Sequence, residues 1–155
     1  LICGPLDLEP RFVKAFNRPM FHSENIETIG WVDVTRPEWD DIRRRTIATI
    51  YPSCSEGGGG SVITCMHAGL IPIVTPEASV DVGEFGIVLE QPTSAAVRDA
   101  ALALANQSTT ELERRARTAW DFARARHTRE EFARSYRRFV NDVVVPEVAR
   151  RRTSV

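Results

Sequence analysis

Residues Tyr51 to Pro76 read YPSCSEGGGGSVITCMHAGLIPIVTP, and the fold follows from how this stretch is parsed. An apolar run, Thr46-Ile47-Ala48-Thr49-Ile50-Tyr51, stops at Pro52, and a polar turn follows from Ser53 to Glu56. Four glycines come next, Gly57, Gly58, Gly59 and Gly60. Ser61 opens a segment, Val62 to Gly69, whose apolar positions suit a short helix. Gly69 is a natural stop for it, and Ile71 to Thr75 reads as a second buried strand. Strand, glycine-rich loop, helix and strand in that order predict an α/β unit built on a parallel sheet.

Such a loop has specific physics. Glycine permits positive φ and close approach of a ligand to the backbone. The first turn of the following helix carries unpaired N–H groups and the positive end of the helix dipole. Together they suit a phosphate, and in open α/β sheets ligands sit outside the carboxyl ends of the strands, where this loop would lie. The plain alternative is a flexible loop with no ligand, because glycine-rich turns are common punctuation. Glu56, directly before the glycines, argues against a bare phosphate cradle and for a site that also hydrogen-bonds hydroxyl groups.

Pro52-Ser53, Ser55-Glu56-Gly57, Met66, Gly69 and Pro72-Ile73-Val74 together resemble the donor-site signature of retaining GT-B glycosyltransferases of the group 1, family 4 kind. The family pattern is P-S-x-x-E-G-x-G, a helix carrying a second Glu, then A-M-A-x-G-x-P-V-V. Two departures stand out. The family's second Glu falls on Thr64, and an extra residue separates Gly69 from Pro72. The resemblance implies a Rossmann-like parallel sheet with helices on both faces, the C-terminal donor-binding domain of a GT-B fold, followed by C-terminal helices. It implies transfer of a sugar from a nucleotide sugar with retention of configuration, with no metal and no cofactor beyond the donor. Glu56 would contact the sugar hydroxyls and is the catalytic candidate. Gly57, Gly58, Gly59, Gly60 and Ser61 would hold the diphosphate or face the sugar, and Val62 would lie near the ribose. Thr64 would take the place of the Glu that accepts hydrogen bonds from the ribose; a neutral acceptor is roughly half as strong as a charged one. The acceptor would be bound by an N-terminal domain outside this sequence. The resemblance implies that the family's diphosphate-binding Arg and Lys lie on a strand-loop before the region of Leu1; the sole lysine, Lys14, does not match them.

With 155 residues the chain can bury a real core, and its 43% hydrophobic and 26% charged residues are ordinary for a globular protein. The net charge is −1, so bulk charge points to neither nucleic acid nor membrane. The distribution is uneven: from Glu111 onward 12 Arg face 7 acidic residues, whereas 8 basic face 14 acidic residues before it. A basic end of this kind can touch an anionic lipid surface in the full-length protein, although a solvated helix face is its commoner meaning. Cys3, Cys54 and Cys65 have no metal-ligand spacing and suit a reducing, cytoplasmic setting. No apolar run reads as a spanning helix.

The chain opens inside an apolar run, Leu1-Ile2-Cys3, without Met, so we expect a piece of a longer protein. Leu1 to Gly4 reads as a strand end. A helix is expected from an Asp7 cap to about Asn17, with Phe12, Val13 and Phe16 inward. Ile26 to Val32 is the next strand; its Gly30-Trp31-Val32-Asp33 matches a family pattern near the nucleotide base, although a core role for Trp31 is the commoner one. Thr35 with Glu38 spells a capping box for a helix to about Arg45, on which Asp40 and Asp41 read as solvent residues. Gly86 to Leu89 is a last short strand. Thr93 or Ser94 caps a helix to about Asn106, with Val97, Ala101, Leu104 and Ala105 buried. Thr110 with Glu113 and Thr128 with Glu131 spell two more boxes. Leu112, Ala116, Ala119, Trp120 and Ala123 form one apolar face, and Phe132, Tyr136, Phe139, Val140 and Val143 continue at helical spacing until Pro146. Residues 1–145 are thus read as one nucleotide-sugar-binding domain and 146–155 as a frayed basic tail. His67 is read as structural. In the sheet order that the resemblance implies, 3-2-1-4-5-6, Leu1 to Gly4 would be strand 2 and Thr46 to Tyr51 strand 4, with a one-strand gap between them. Two other readings stay open: a binding or scaffold domain that has lost turnover, motivated by Thr64, and a nucleotide-sugar epimerase of the same architecture, whose loop lacks the Ser-Glu-Gly run.

Overall fold

The computed structural model describes residues 1–153; Ser154 and Val155 lie outside the described residues. The chain forms two compact units, Leu1–Arg45 and the part from Thr46 onward.

In the first unit β1 (Ile2–Cys3) pairs in parallel with β2 (Thr28–Gly30), Ile2 opposite Thr28 and Cys3 opposite Gly30. The single helix expected from Asp7 is broken into a 3-10 turn (Leu6–Leu8), α1 (Pro10–Ala15) and α2 (Asn17–Phe21). Pro10 is the cause. Its ring drives Glu9 out of the helical region, to φ −121° and ψ 54°, so Asp7 caps nothing and the helix restarts at the proline. Phe12 and Phe16, expected inward, are exposed and lean on each other with ring centroids 4.8 Å apart. Met20 is buried instead, and its carbonyl accepts the Thr28 hydroxyl at 2.6 Å, joining α2 to β2. Trp31 is not a core residue: it is 73% exposed. α3 (Pro37–Arg44) begins without a side-chain cap. Thr35 spends its amide and hydroxyl on Asp33 Oδ1, at 2.9 and 2.7 Å, in a turn upstream of the helix. Asp40 pairs with Arg43 at 2.7 Å, in keeping with its reading as a surface residue.

In the second unit β3 (Ala48–Tyr51), β4 (Ile71–Val74) and β5 (Ile87–Val88) form a parallel sheet in that order. α4 (Gly60–His67) is the crossover from β3 to β4. α5 (Ser94–Ala105), α6 (Thr109–Arg126), α7 (Arg129–Phe139), a π-helical turn (Val140–Val144) and α8 (Val145–Thr153) follow. β4 is central and buried along its whole length. Its side chains alternate between faces. Ile71 and Ile73 pack with Leu89, Ala100 and Leu104 on one side. Val74 joins Val62, Met66, Phe85, Ala119 and Ala123 on the other. Each large side chain fully buried in this way contributes about 1.5–3 kcal/mol. Helices thus cover both faces, α4 on one and α5 on the other. The unit is mixed α/β with a parallel sheet.

The helical part departs from expectation in detail. α5 is capped by Thr93, whose hydroxyl accepts the Ala96 amide at 3.2 Å; it buries Ala100, while Ala105 is exposed. α6 is capped by Ser108 and not by Thr110: Ser108 Oγ accepts the Glu111 amide at 3.2 Å. Both spellings of the box are present in the sequence, and the earlier one lengthens the helix by about half a turn. Thr128 caps α7 as expected, accepting the Glu131 amide at 3.1 Å. The stripe from Phe132 to Val143 is not core, for α7 has no buried residue and Phe132 is 71% exposed. Pro146 does not stop the chain from being helical. The preceding turn widens to π geometry, with Val145 N–H bonded to the Val140 carbonyl, and Pro146 enters the first turn of α8, where its missing N–H is tolerated. The tail expected to fray is helical through Thr153.

Candidate functional site

Residues 52–59 join the end of β3 to α4, and three bonds hold this loop. Thr75, 1% exposed at the end of β4, donates its hydroxyl to the Ser53 carbonyl. The Gly59 amide donates to the Ala78 carbonyl at 2.9 Å. Tyr51, the last residue of β3, donates its hydroxyl to Glu56 Oε1 at 2.5 Å. Glu56 therefore lies at the carboxyl end of the sheet, on the same connection as the glycines, with its carboxylate exposed.

The glycines play different parts. Gly58 has φ +133°, which side-chain-bearing residues rarely adopt. Gly59 is packed tightly: a Cβ there would meet Val80 Cγ2 at 3.0 Å, the Ala78 carbonyl at 3.2 Å and Val62 Cγ2 at 3.3 Å. At Gly57, Gly58 and Gly60 a Cβ would meet nothing within 4 Å, so this side of the loop is bare backbone. α4 starts with Gly59 at its N-cap and no capping side chain. The amides of Ser61 and Val62 belong to its first turn, which has no carbonyl partners within the helix.

Val62 was expected to border a ribose. Its side chain is wholly buried against Val74 and Met66, because residues four apart share the core face of α4. Only its backbone can face a ligand. Thr64 is half-buried and donates its hydroxyl to the Gly60 carbonyl at 3.0 Å, leaving the oxygen free to accept. His67 Nε2 lies 3.1 Å from the His127 carbonyl and ties α4 to the end of α6. Burial lowers the pKa of His127, with the charge of His67 acting in the same direction. Cys3, Cys54 and Cys65 are not joined in disulfides. Among the described residues no group of three or more His, Cys, Asp or Glu could hold a metal ion, and no helix is long and apolar enough to cross a membrane.

The charge around the loop is one-sided. No Lys or Arg occurs between Arg45 and Arg98, whereas Glu56, Glu77, Asp81, Glu84 and Glu90 do. From residues 46–97 an anion at this loop would be met by backbone amides and the helix dipole, with no cationic side chain from that segment. The bonds from Tyr51 and Thr75 were not legible in the sequence, because each depends on how the loop folds back over the strand ends.

No family model matches this chain, and no curated protein matches it.

Proposed function

We propose that this chain is the donor-binding part of a retaining glycosyltransferase of GT-B architecture, with a nucleotide sugar as donor. The observation that carries the proposal is the shared position of Glu56 and the bare glycine backbone at the carboxyl end of β3, just ahead of an uncapped helix start. In this reading the amides of Ser61 and Val62, with the open backbone of Gly57, Gly58 and Gly60, meet the diphosphate, while Gly59, expected among them, is packed with its amide bonded to the Ala78 carbonyl and shapes the loop. Glu56 accepts hydrogen bonds from the sugar hydroxyls. Thr64 accepts one from the ribose. No cationic side chain lies from Thr46 to Val97, so in this reading the cations that face a dinegative diphosphate come from other segments. Acceptor binding belongs elsewhere in the full-length protein.

A second reading, a nucleotide-sugar-binding domain without turnover, is favoured by Thr64, whose hydroxyl proton is engaged within the helix. Calorimetric titration of the full-length protein with nucleoside diphosphates, followed by assay of nucleoside diphosphate release from a panel of nucleotide sugars, separates the two. Binding with release supports the transferase. Binding without release supports the second reading, and no binding removes both. Within the same geometry Thr64→Glu restores a charged acceptor and should tighten ribonucleotide binding by about tenfold, the scale of one charge-assisted bond. Unchanged affinity would mean that the ribose is held elsewhere.

A further inference from the structure

We infer that Tyr51 is a positioning residue for Glu56, fixing the carboxylate through one oxygen so that the other is presented to a sugar hydroxyl. The inference rests on the donor-site reading above. Glu56 stands in an exposed loop between Pro52 and a run of glycines, and such a side chain is free to sample many rotamers. Tyr51 is held on both sides. Its backbone lies in the parallel ladder opposite Val74, and its ring packs partly buried against the cluster of Val62, Met66 and Val74. The hydroxyl at the end of this anchored ring donates to Glu56 Oε1 at 2.5 Å, the short range of a bond from hydroxyl to carboxylate. The anchored strand end thus reaches over the turn to the exposed carboxylate.

The chemistry is directional. A carboxylate only accepts, so a donor on Oε1 leaves Oε2 and the remaining lone pairs for substrate hydroxyls. The Tyr51 hydroxyl is correspondingly harder to ionise, its pKa raised first by the bond to Glu56 and then by burial. No Lys or Arg within the neighbouring sequence, from Thr46 to Val97, could take over this task. Phenylalanine would preserve the packing of the ring and remove only the donor, so Tyr51→Phe isolates the bond.

The test compares wild type, Tyr51→Phe, Glu56→Gln and the double variant in the full-length protein. Tyr51→Phe should lower kcat by about tenfold, the scale of one lost bond to a charged group. Its donor Kd should stay within about twofold of wild type, because the bond orients a group that acts in turnover. The double variant should be no slower than Glu56→Gln by more than about twofold, since coupled residues are not additive. Tyrosine labelled at the ζ carbon reports the bond independently of activity. The chain has two tyrosines, and the Tyr51 signal alone should move in Glu56→Gln. Wild-type kcat in Tyr51→Phe, multiplied effects in the double variant, or an unmoved Tyr51 signal would overturn the inference. If Glu56→Gln also turns over at the wild-type rate, the donor-site reading has failed and the positioning role falls with it. That outcome is distinguishable, because the Tyr51 signal would still report the bond.

Discussion

At the residue scale the loop divides into positions that shape the backbone and positions that leave it open, and neighbouring glycines make the contrast testable. A Cβ at Gly59 would press on Val80, Val62 and the Ala78 carbonyl, and the last of these is backbone that cannot swing aside. Gly59→Ala should therefore destabilise the protein by about 1–3 kcal/mol, as overpacking does. Gly60 has open space and opens the helix, so Gly60→Ala should leave stability unchanged or raise it by up to about 1 kcal/mol. If a diphosphate approaches this backbone, the same Gly60→Ala should weaken nucleotide binding while the protein stays folded. Thermal melts and calorimetry on the pair check both halves. The sequence announced glycines here without saying which one is packed. That depends on Ala78 and Val80, which a separate part of the chain brings to the loop.

At the element scale the capping of α6 has a measurable signature. Glu111, in its first turn, is bonded to Arg114 at 2.7 and 2.8 Å and to Arg115 at 3.1 Å. The bond to Arg114 and then that to Arg115 lower its pKa from an ordinary 4.5 to about 2. The sign follows from linkage. A carboxylate whose pKa is depressed on folding stabilises the protein fully above its unfolded pKa, and the contribution fades as pH falls toward the folded value. The difference in Tm between wild type and Glu111→Gln should therefore shrink as pH falls from about 5 to about 2. The difference should also be small and weaken with salt, because Glu111 and Arg114 face solvent. A difference that is flat with pH would remove Glu111 from the linkage. The boundaries of α6 were half legible. Ser108 with Glu111 and Thr110 with Glu113 spell the same motif, and nothing local says which one the packing of Leu112 and Ala116 selects.

At the scale of the whole molecule, stability is concentrated around β4 and the helices packed on it, and α7, which buries no residue, contributes little to it. Met66 is wholly buried between α4, β4 and α6, so Met66→Ala should cost about 2–5 kcal/mol. Phe132 is 71% exposed, and Phe132→Ser should change stability by no more than about 0.5 kcal/mol. Equal losses in denaturant melts of the two variants would contradict this division. The helical periodicity that marks both residues is the same in the sequence; whether a stripe is covered is a property of what packs against it. The sequence by itself determined the alternation of strands and helices, the parallel character of the sheet, the loop between Pro52 and Gly60 and the cap at Thr128. Those features follow from local rules: apolar period, proline and glycine stereochemistry, and side chains that reach the first turn. Tertiary structure alone decided that Trp31, Phe12 and Phe132 are exposed, that Val62 is core and that Tyr51 reaches Glu56. Each of these depends on contacts between residues that the local pattern does not relate, and burial is a property of neighbours in space.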